Sequence, residues 1–420
     1  MTSLLKQSML WVLAVSALLI GLLPGTATAH GERSTEPYIR TRTVHWYDVK
    51  WSTEQLKVND KIVVTGKFRL FNDWPEAVSP PNLVYLSSGA PAAMLVREET
   101  YINEIPARQS HKDLMLGRDY EFKMVMRGRV PGRWHLHPML NVSGAGPIIG
   151  PGDWVEVTGN RADFKEPVTT MHGLKIDNVE TYGVSNAQLW QAGHVLVAAI
   201  WLLWWLRRPL IIPRWRAKEQ GREDLLITRT DDRMAVGLLV LVLVIVVVGF
   251  TQAKKNYPQL VPLQAGVHKP QPLPAQPEWV TVKFKRAEYD VPGRSMRIAA
   301  EFENVSDRVI TIGEFATAGL RFVNKSSPVA SKAVDEKYPK ELLPANGLVL
   351  DKPQPLQPGE KRTVVLDATD AAWEVERLVS FLTNVDSRTG GLVFFYDANG
   401  NRSIGEVYGP ILPVFKGTRL

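Results

Sequence analysis

Cysteine is absent from all 420 residues. That absence excludes disulfides, thiolate metal ligands, iron–sulfur clusters and cysteine nucleophiles together. It also requires any exported part of the chain to be stable without covalent staples. Other signatures are missing too. No G-x-S-x-G, Walker or Rossmann pattern stands out, and the carboxylates form no recognisable pair. The Gly-rich stretch Gly144–Gly152 has neither the following lysine nor the helix start of a phosphate cradle, and reads as a loop. No basic stripe interleaves with aromatics, so no nucleic-acid partner is expected. The net charge of +7 instead follows basic residues placed beside apolar segments, as membrane topology dictates. The 45% apolar and 22% charged fractions are those of a folded chain, long enough for two or three domains.

Three long apolar runs are present. The first reads as an export signal: Lys6, an apolar core from Met9 to Leu23, a break at Pro24-Gly25, and the small-x-small site Ala27-Thr28-Ala29. Cleavage after Ala29 leaves His30 with a free α-amine. The alternative is an uncleaved anchor, but this core is short for a membrane span. The other two runs, Leu189–Leu206 and Met234–Phe250, are long enough to cross a bilayer. The loop between them, Arg207–Arg233, holds eight Arg or Lys against five Asp or Glu. The positive-inside rule puts it in the cytoplasm and both flanking regions in the periplasm. The expected organisation is a signal peptide over 1–29, a periplasmic domain over 30–183, a first span over 184–206 and a cytoplasmic loop over 207–233. A second span follows over 234–252, then a Pro-rich linker over 253–277 and a second periplasmic domain over 278–420. The address is an inner or intracytoplasmic membrane.

Both exported regions are expected to be mainly β. Lys61–Phe71, Tyr120–Val130 and Asp153–Asn160 alternate with period two in the first region; Glu278–Tyr289, Arg294–Ser306 and Gly391–Asp397 do so in the second. Leu356–Thr369 reads as a turn followed by a strand. Asp370–Leu382 is the exception, with apolar spacing of three and four that predicts one amphipathic helix. Short strands with Gly and Pro between them predict β-sandwiches, and His268–Glu278 reads as a stiff, extended linker.

The eight histidines carry the chemistry. His135 and His137 lie two apart in "RWHLHPM". On a strand, residues i and i+2 share a face, so the two imidazoles can grip one ion. Pro138 is expected to end regular pairing and place the pair at a sheet rim. A mature N-terminal His30 supplies an α-amine and Nδ1 that chelate the same ion, giving an all-nitrogen set that selects Cu(II). Zinc with three nitrogens and a water is the alternative metal, and two ordinary strand residues are the alternative to any metal. His45 reads as a packed strand residue rather than a ligand. His194, inside the first span, reads as a hydrogen-bonding residue toward a neighbouring helix. His111, His172 and His268 read as loop residues.

Long stretches then resemble one family. "HGERSTEPYIRTRTVHWYDVKWS", "GRWHLHPMLNVSGAGPIIGPGDW", "YPQLVPLQAG", "YDVPGR", "GEFATAGLRF" and "GNRSIGEVYGPILPVF" are similar to the B (beta) subunit of the copper-containing membrane monooxygenases, the group of particulate methane monooxygenase and ammonia monooxygenase. The resemblance covers essentially the whole mature chain. It implies a mainly β fold with a transmembrane helical hairpin: two cupredoxin-like β-sandwich domains joined by two transmembrane helices. It implies copper on the mature N-terminal histidine and the H-x-H pair, here His30, His135 and His137. It also implies assembly with the A and C subunits as a trimer of three-subunit protomers in the lipid bilayer, O2 and ammonia or methane as substrates, and quinol as electron donor. Some members hold a further copper between the histidine of "HWYD" and a C-terminal glutamine; the matching residues here are His45 and Glu406, and that site is not assigned. "HGERSTEP" and "GEFATAGLRF" lean toward the ammonia branch (nitrification), "HWYD" and "WHLHP" toward the methane branch. Two other roles fit the same residues: a structural, copper-bearing subunit that supports a catalytic site in the C subunit, or a periplasmic copper-delivery protein.

Overall fold

The computed structural model describes residues 36–89, 93–106, 110–170, 173–207, 211–257, 267–370 and 386–415. The expected signal peptide, His30, His172 and most of the helix expected over Asp370–Leu382 lie outside them. The described chain forms two units. One joins both ends of the chain; the other is the segment 162–265.

In the first unit a short helix, α1 (Pro37–Arg42), precedes twelve strands: β1 (Val44–Trp51), β2 (Gln55–Lys57), β3 (Lys61–Leu70), β4 (Leu83–Ser88), β5 (Leu95–Ile102), β6 (Ile105–Pro106), β7 (Ser110–Lys112), β8 (Arg118–Gly128), β9 (Gly132–Leu136), β10 (Pro138–Val142), β11 (Gly146–Ile149) and β12 (Asp153–Thr158). Alternation builds them. On β3, Ile62, Val64, Phe68 and Leu70 point inward while Lys61, Lys67 and Arg69 lie on the opposite face. One sheet runs β1-β3-β8-β5-β6, and a second contains β11-β10-β4-β7. A third, β2-β12-β9, closes the rim. Phe68, Tyr120, Phe122 and Leu140 meet in the core between them. Each such fully buried aromatic contributes about 2–3 kcal/mol.

The chain re-enters this unit through β15 (Val267–His268), which extends the second sheet by pairing in parallel with β7. The Pro-rich segment then runs extended along the first sandwich. Leu273 N–H donates to the Asp119 carbonyl at 2.9 Å. Eight strands follow: β16 (Val280–Asp290), β17 (Ser295–Asn304), β18 (Thr311–Thr317), β19 (Leu320–Val323), β20 (Leu348–Leu350), β21 (Lys361–Thr369), β22 (Arg388–Tyr396) and β23 (Arg402–Val414). Their order is β19-β18-β22-β23-β16-β17-β21-β20. The sheet changes partner along β23, which is antiparallel to β22 up to Pro410 and parallel to β16 from Ile411. One core cluster draws Phe315 and Phe395 from one half of this sheet and Ile298, Phe302 and Val364 from the other.

The two sandwiches pack into one compact unit. Tyr47 and Phe71 of the first join Ala316, Leu392, Phe394 and Tyr396 of the second. Ion pairs ring this seam: Arg402 to Asp48 at 2.5 Å, Arg388 to Asp73 at 2.9 Å, Arg42 to Asp73 at 2.9 Å, and Arg69 to Glu406 at 2.6 Å. Asp73 serves two guanidiniums, one of them on nearly buried Arg42. Asp73→Ala is therefore expected to destabilise the first unit by about 1–2 kcal/mol, less than a fully buried pair because Arg388 is partly solvated. Thermal melting against wild type checks this; an unchanged melting temperature would contradict it.

The second unit contains a small ribbon, β13 (Val168–Thr169) with β14 (Lys175–Ile176), and a helical hairpin: α2 (Val184–Leu206), α3 (Ile211–Glu219) and α4 (Arg229–Asn256). α2 and α4 are long and apolar enough to cross a membrane. Gly249 lets Trp190 of α2 approach α4; an added Cβ would lie 3.0 Å from the indole. A capping box starts α4, with Thr228 and Asp231 bonding reciprocally, and Asp231 also accepts from Trp204 Nε1 of α2 at 2.8 Å. His194 differs from expectation: its Nδ1 bonds the Trp190 carbonyl of its own helix at 2.7 Å.

Candidate metal centre

The H-x-H pair sits where the chain passes from one sheet to another. β9 pairs with β12, placing His135 opposite Trp154; β10 pairs with β4 and β11, placing Pro138 opposite Ser88. His137 lies between the two strands. This corrects the expected role of Pro138: it opens a new strand, a position that proline tolerates because it lacks only an N–H. The rim placement results from the change of sheet. Gly89 N–H donates to the His137 carbonyl at 2.9 Å, and Gly150 N–H donates to the Pro138 carbonyl at 2.8 Å. These two bonds hold the crossing point.

The geometry brings the two rings together. Their centroids are 4.4 Å apart and nearly perpendicular. His135 leans on Trp154 at 4.7 Å, and the Arg133 guanidinium covers the same indole at 4.6 Å. Arg133 and His135 thus share a face, as residues two apart on a strand do. His137 Nδ1 lies 2.8 Å from the Gly150 carbonyl oxygen. A carbonyl only accepts, so Nδ1 carries the proton and the lone pair is on Nε2. His135 Nε2 lies 3.0 Å from Glu341 Oε1 on the second sandwich. A carboxylate likewise accepts, so here Nε2 carries the proton and, in the neutral ring, Nδ1 holds the lone pair. Nearby, burial raises the Asp153 carboxyl above its usual range; a hydrogen bond from Trp154 N–H opposes this, and Glu54 and Glu341 add to it.

Gly152 forms the wall behind both rings. A Cβ built on it would lie 2.4 Å from His137 Cε1, 2.5 Å from His137 Nδ1 and 2.9 Å from His135 Cε1. A side chain at this position would overlap both imidazoles, so the approach of the two rings depends on its being glycine. The stretch Gly144–Gly152, expected to be a loop, forms β11 and then this wall. Two imidazoles that converge, each with one ring nitrogen held by an acceptor, are the donor type and outer shell that transition-metal sites use. Among the described residues no cluster of three or more His, Asp or Glu side chains is arranged to hold an ion. His30 precedes the described residues.

The other histidines take different roles. His45 is buried on β1, its Nε2 bonded to the Thr41 carbonyl at 3.0 Å and its ring 4.6 Å from Phe71. Burial pushes its pKa down to about 4; the bond to Thr41 opposes this and Arg69 reinforces it. Both oxygens of Glu406 are engaged, by Arg69 Nε at 2.6 Å and by Asn72 N–H at 3.1 Å. His45 and Glu406 therefore serve packing and the inter-sandwich seam, and a guanidinium stands beside the carboxylate. His111 and His268, expected in loops, are paired strand residues on β7 and β15. His111 is fully buried.

Sequence comparisons give the chain its context. The monooxygenase B-subunit protein family matches residues 31–415. A protein of Methylococcus capsulatus (strain Bath), the particulate methane monooxygenase alpha subunit, is 42% identical over 393 residues, 93% of this chain and 93% of that protein. Among solved structures, the cupredoxin domain of amoB from Nitrosocaldus yellowstonii aligns over 32% of this chain and 99% of that domain, at 17% identity and a TM-score of 0.24. The fibronectin(III)-like modules of Clostridium thermocellum CbhA align over 88% of this chain and 95% of theirs, at 9% identity and a TM-score of 0.15. Both scores are too low to bear on the topology.

Proposed function

This chain belongs to the monooxygenase B-subunit family, the membrane subunits of particulate methane and ammonia monooxygenases, and on that premise we propose that it contributes a copper site held by His30, His135 and His137 to a complex that hydroxylates ammonia or methane with O2. The observation that carries this is the Gly152 wall, against which two imidazoles converge with opposite tautomers. In this reading export and cleavage after Ala29 expose the His30 amine, and nitrogen donors alone favour copper. When bound, copper supplies one-electron chemistry toward O2. The chain's own residues set the donors: Gly150 and Glu341 orient the rings, and Trp154 covers one face of His135. Copper affinity falls at acid pH in this reading, because each donor must be deprotonated.

The basic 207–233 loop supports a cytoplasmic hairpin turn with both sandwiches in the periplasm. Leu196, Leu202, Val247 and Phe250 are among the exposed apolar side chains of α2 and α4, surface suited to lipid and to the spans of the A and C subunits. Quinol is the electron donor in this reading, and the whole is a trimer of three-subunit protomers.

One observation favours a supporting role for the copper, with oxidation in a partner subunit. The cleft beside His135, about 520 Å³, is lined by Glu54, Arg133, Asp153, Glu156, Lys340 and Glu341 among others. A charged, open cleft lacks the apolar lining that suits methane. N-terminal sequencing and copper quantification of the purified complex test the proposal. The mature chain is expected to begin His-Gly-Glu-Arg and to carry copper; a longer or blocked terminus would contradict the site. In an intact complex bearing His137→Ala, retained substrate oxidation assigns the chemistry to a partner subunit, and its loss with the copper assigns it here.

A further inference from the structure

We infer that Glu341 is a positioning residue for the metal site of the opposite sandwich, fixing the tautomer and orientation of His135 and so coupling copper affinity to the docking of the two sandwiches. This rests on the reading of His135 and His137 as ligands given above.

Glu341 lies in a single 3-10 turn, Lys340–Leu342, 206 residues from its partner in sequence. The turn is anchored in the second sandwich. Leu342 packs against that sandwich's core, and Leu343 packs against the cluster at the seam. Just before the turn, Tyr338 is buried, with the Arg321 guanidinium 4.8 Å from its ring. Lys50 of the first sandwich meets Asp335 at 3.1 Å, tying the same loop down a second time. The carboxylate therefore reaches His135 from a fixed base rather than from a free loop.

Among the described residues, two other neighbours of His135 meet it through ring contacts and not through hydrogen bonds. Trp154 and His137 meet the ring through their faces and edges, at centroid distances of 4.7 and 4.4 Å. The Glu341 carboxylate, by contrast, accepts only from a protonated Nε2 and leaves the lone pair on Nδ1. His137 receives the opposite tautomer from the Gly150 carbonyl of its own sandwich. One ligand is thus preset within its domain and the other across the seam. A sandwich that tilts away releases the imidazole to either tautomer and weakens the ion. By linkage, a bound ion favours docking by the same factor.

The test uses the purified whole complex, depleted of copper and titrated with Cu(II) against a competing chelator, in wild type, Glu341→Ala, Glu341→Gln and a His135→Ala/His137→Ala double variant that supplies the background. Loss of an outer-shell partner typically weakens binding 10- to 100-fold. Glu341 is half-exposed, so about tenfold is expected for alanine and less for glutamine, which keeps an acceptor oxygen. Electron spin-echo modulation from the remote, uncoordinated imidazole nitrogen should change in Glu341→Ala and recover toward wild type in Glu341→Gln. Unchanged affinity and unchanged remote-nitrogen modulation in Glu341→Ala, with copper lost from the double variant, overturns this inference alone. Copper retained unchanged in the double variant overturns the reading of the site, and this inference with it.

Discussion

A Gly152→Ala variant is expected to bind copper at least about 100-fold more weakly than wild type while remaining folded. The added methyl would lie 2.4–2.9 Å from atoms of both imidazoles, closer than carbon atoms approach without overlap. Both rings must then rotate or retreat. His137 loses its alignment with the Gly150 carbonyl, and the two donor nitrogens no longer converge. Outer-shell losses alone cost 10- to 100-fold, and displacing two first-shell donors together costs more. Overpacking a single methyl at a sheet rim destabilises by about 1–3 kcal/mol, a small fraction of the stability of a unit with two cores. Copper titration and thermal melting of the same preparation separate the two effects. Native copper affinity in a folded Gly152→Ala chain would show that the pair does not hold the ion.

Acidification is the second large effect. His45 and His111 both lie inside the folded chain, and burial pushes each pKa from 6.5 down to about 4; His268 adds to the drop at His111, while the backbone of His268 opposes it. Above pH 6.5 both are neutral in folded and unfolded chains alike. As pH falls below 6.5 the unfolded chain takes up protons that the folded chain excludes, so stability declines until pH reaches about 4. A gap of that size corresponds to about 3 kcal/mol for each imidazole, or about 6 kcal/mol for the pair. That approaches the whole stability of an ordinary domain. Melting of the copper-depleted protein, which removes the metal's own proton linkage, should show a steep fall in melting temperature between pH 6.5 and 4. His111→Val should flatten about half of it, since it removes one of the two buried imidazoles. A melting temperature that is flat from pH 7 to 5 would contradict the argument.

The strands are readable because their signal is local. Period-two alternation at Lys61–Phe71 and Arg294–Ser306 corresponds to the observed β3 and β17, shifted by one or two residues at their ends. The two apolar runs fall inside α2 and α4 for the same reason. α3 carries no such signal: "IIPRWRAKE" is short and mixed, and its apolar residues form no clear stripe. The capping box at Thr228 and Asp231 is present in the sequence as a T-x-x-D pattern before an apolar run, and sets the start of α4. Spacing alone brings His135 and His137 together, but does not give the reason they converge. That reason is Gly152, seen only once β10 and β11 are folded back on each other. Glu341 carries no local signal at all, because its partner is 206 residues away. His111 reads as a loop residue because β7 has only three residues, too few for periodicity to register.

The central claim is that one copper ion is held by nitrogen from the mature N-terminus and the H-x-H pair. X-ray absorption at the copper edge of the purified complex, compared between wild type and the His135→Ala/His137→Ala double variant, tests it most directly, because copper bound elsewhere in the complex cancels in the difference. The account predicts that the double variant loses a full site's copper, and that the lost signal is all nitrogen with imidazole outer-shell scattering. Identical copper content and identical spectra in the two proteins would contradict it.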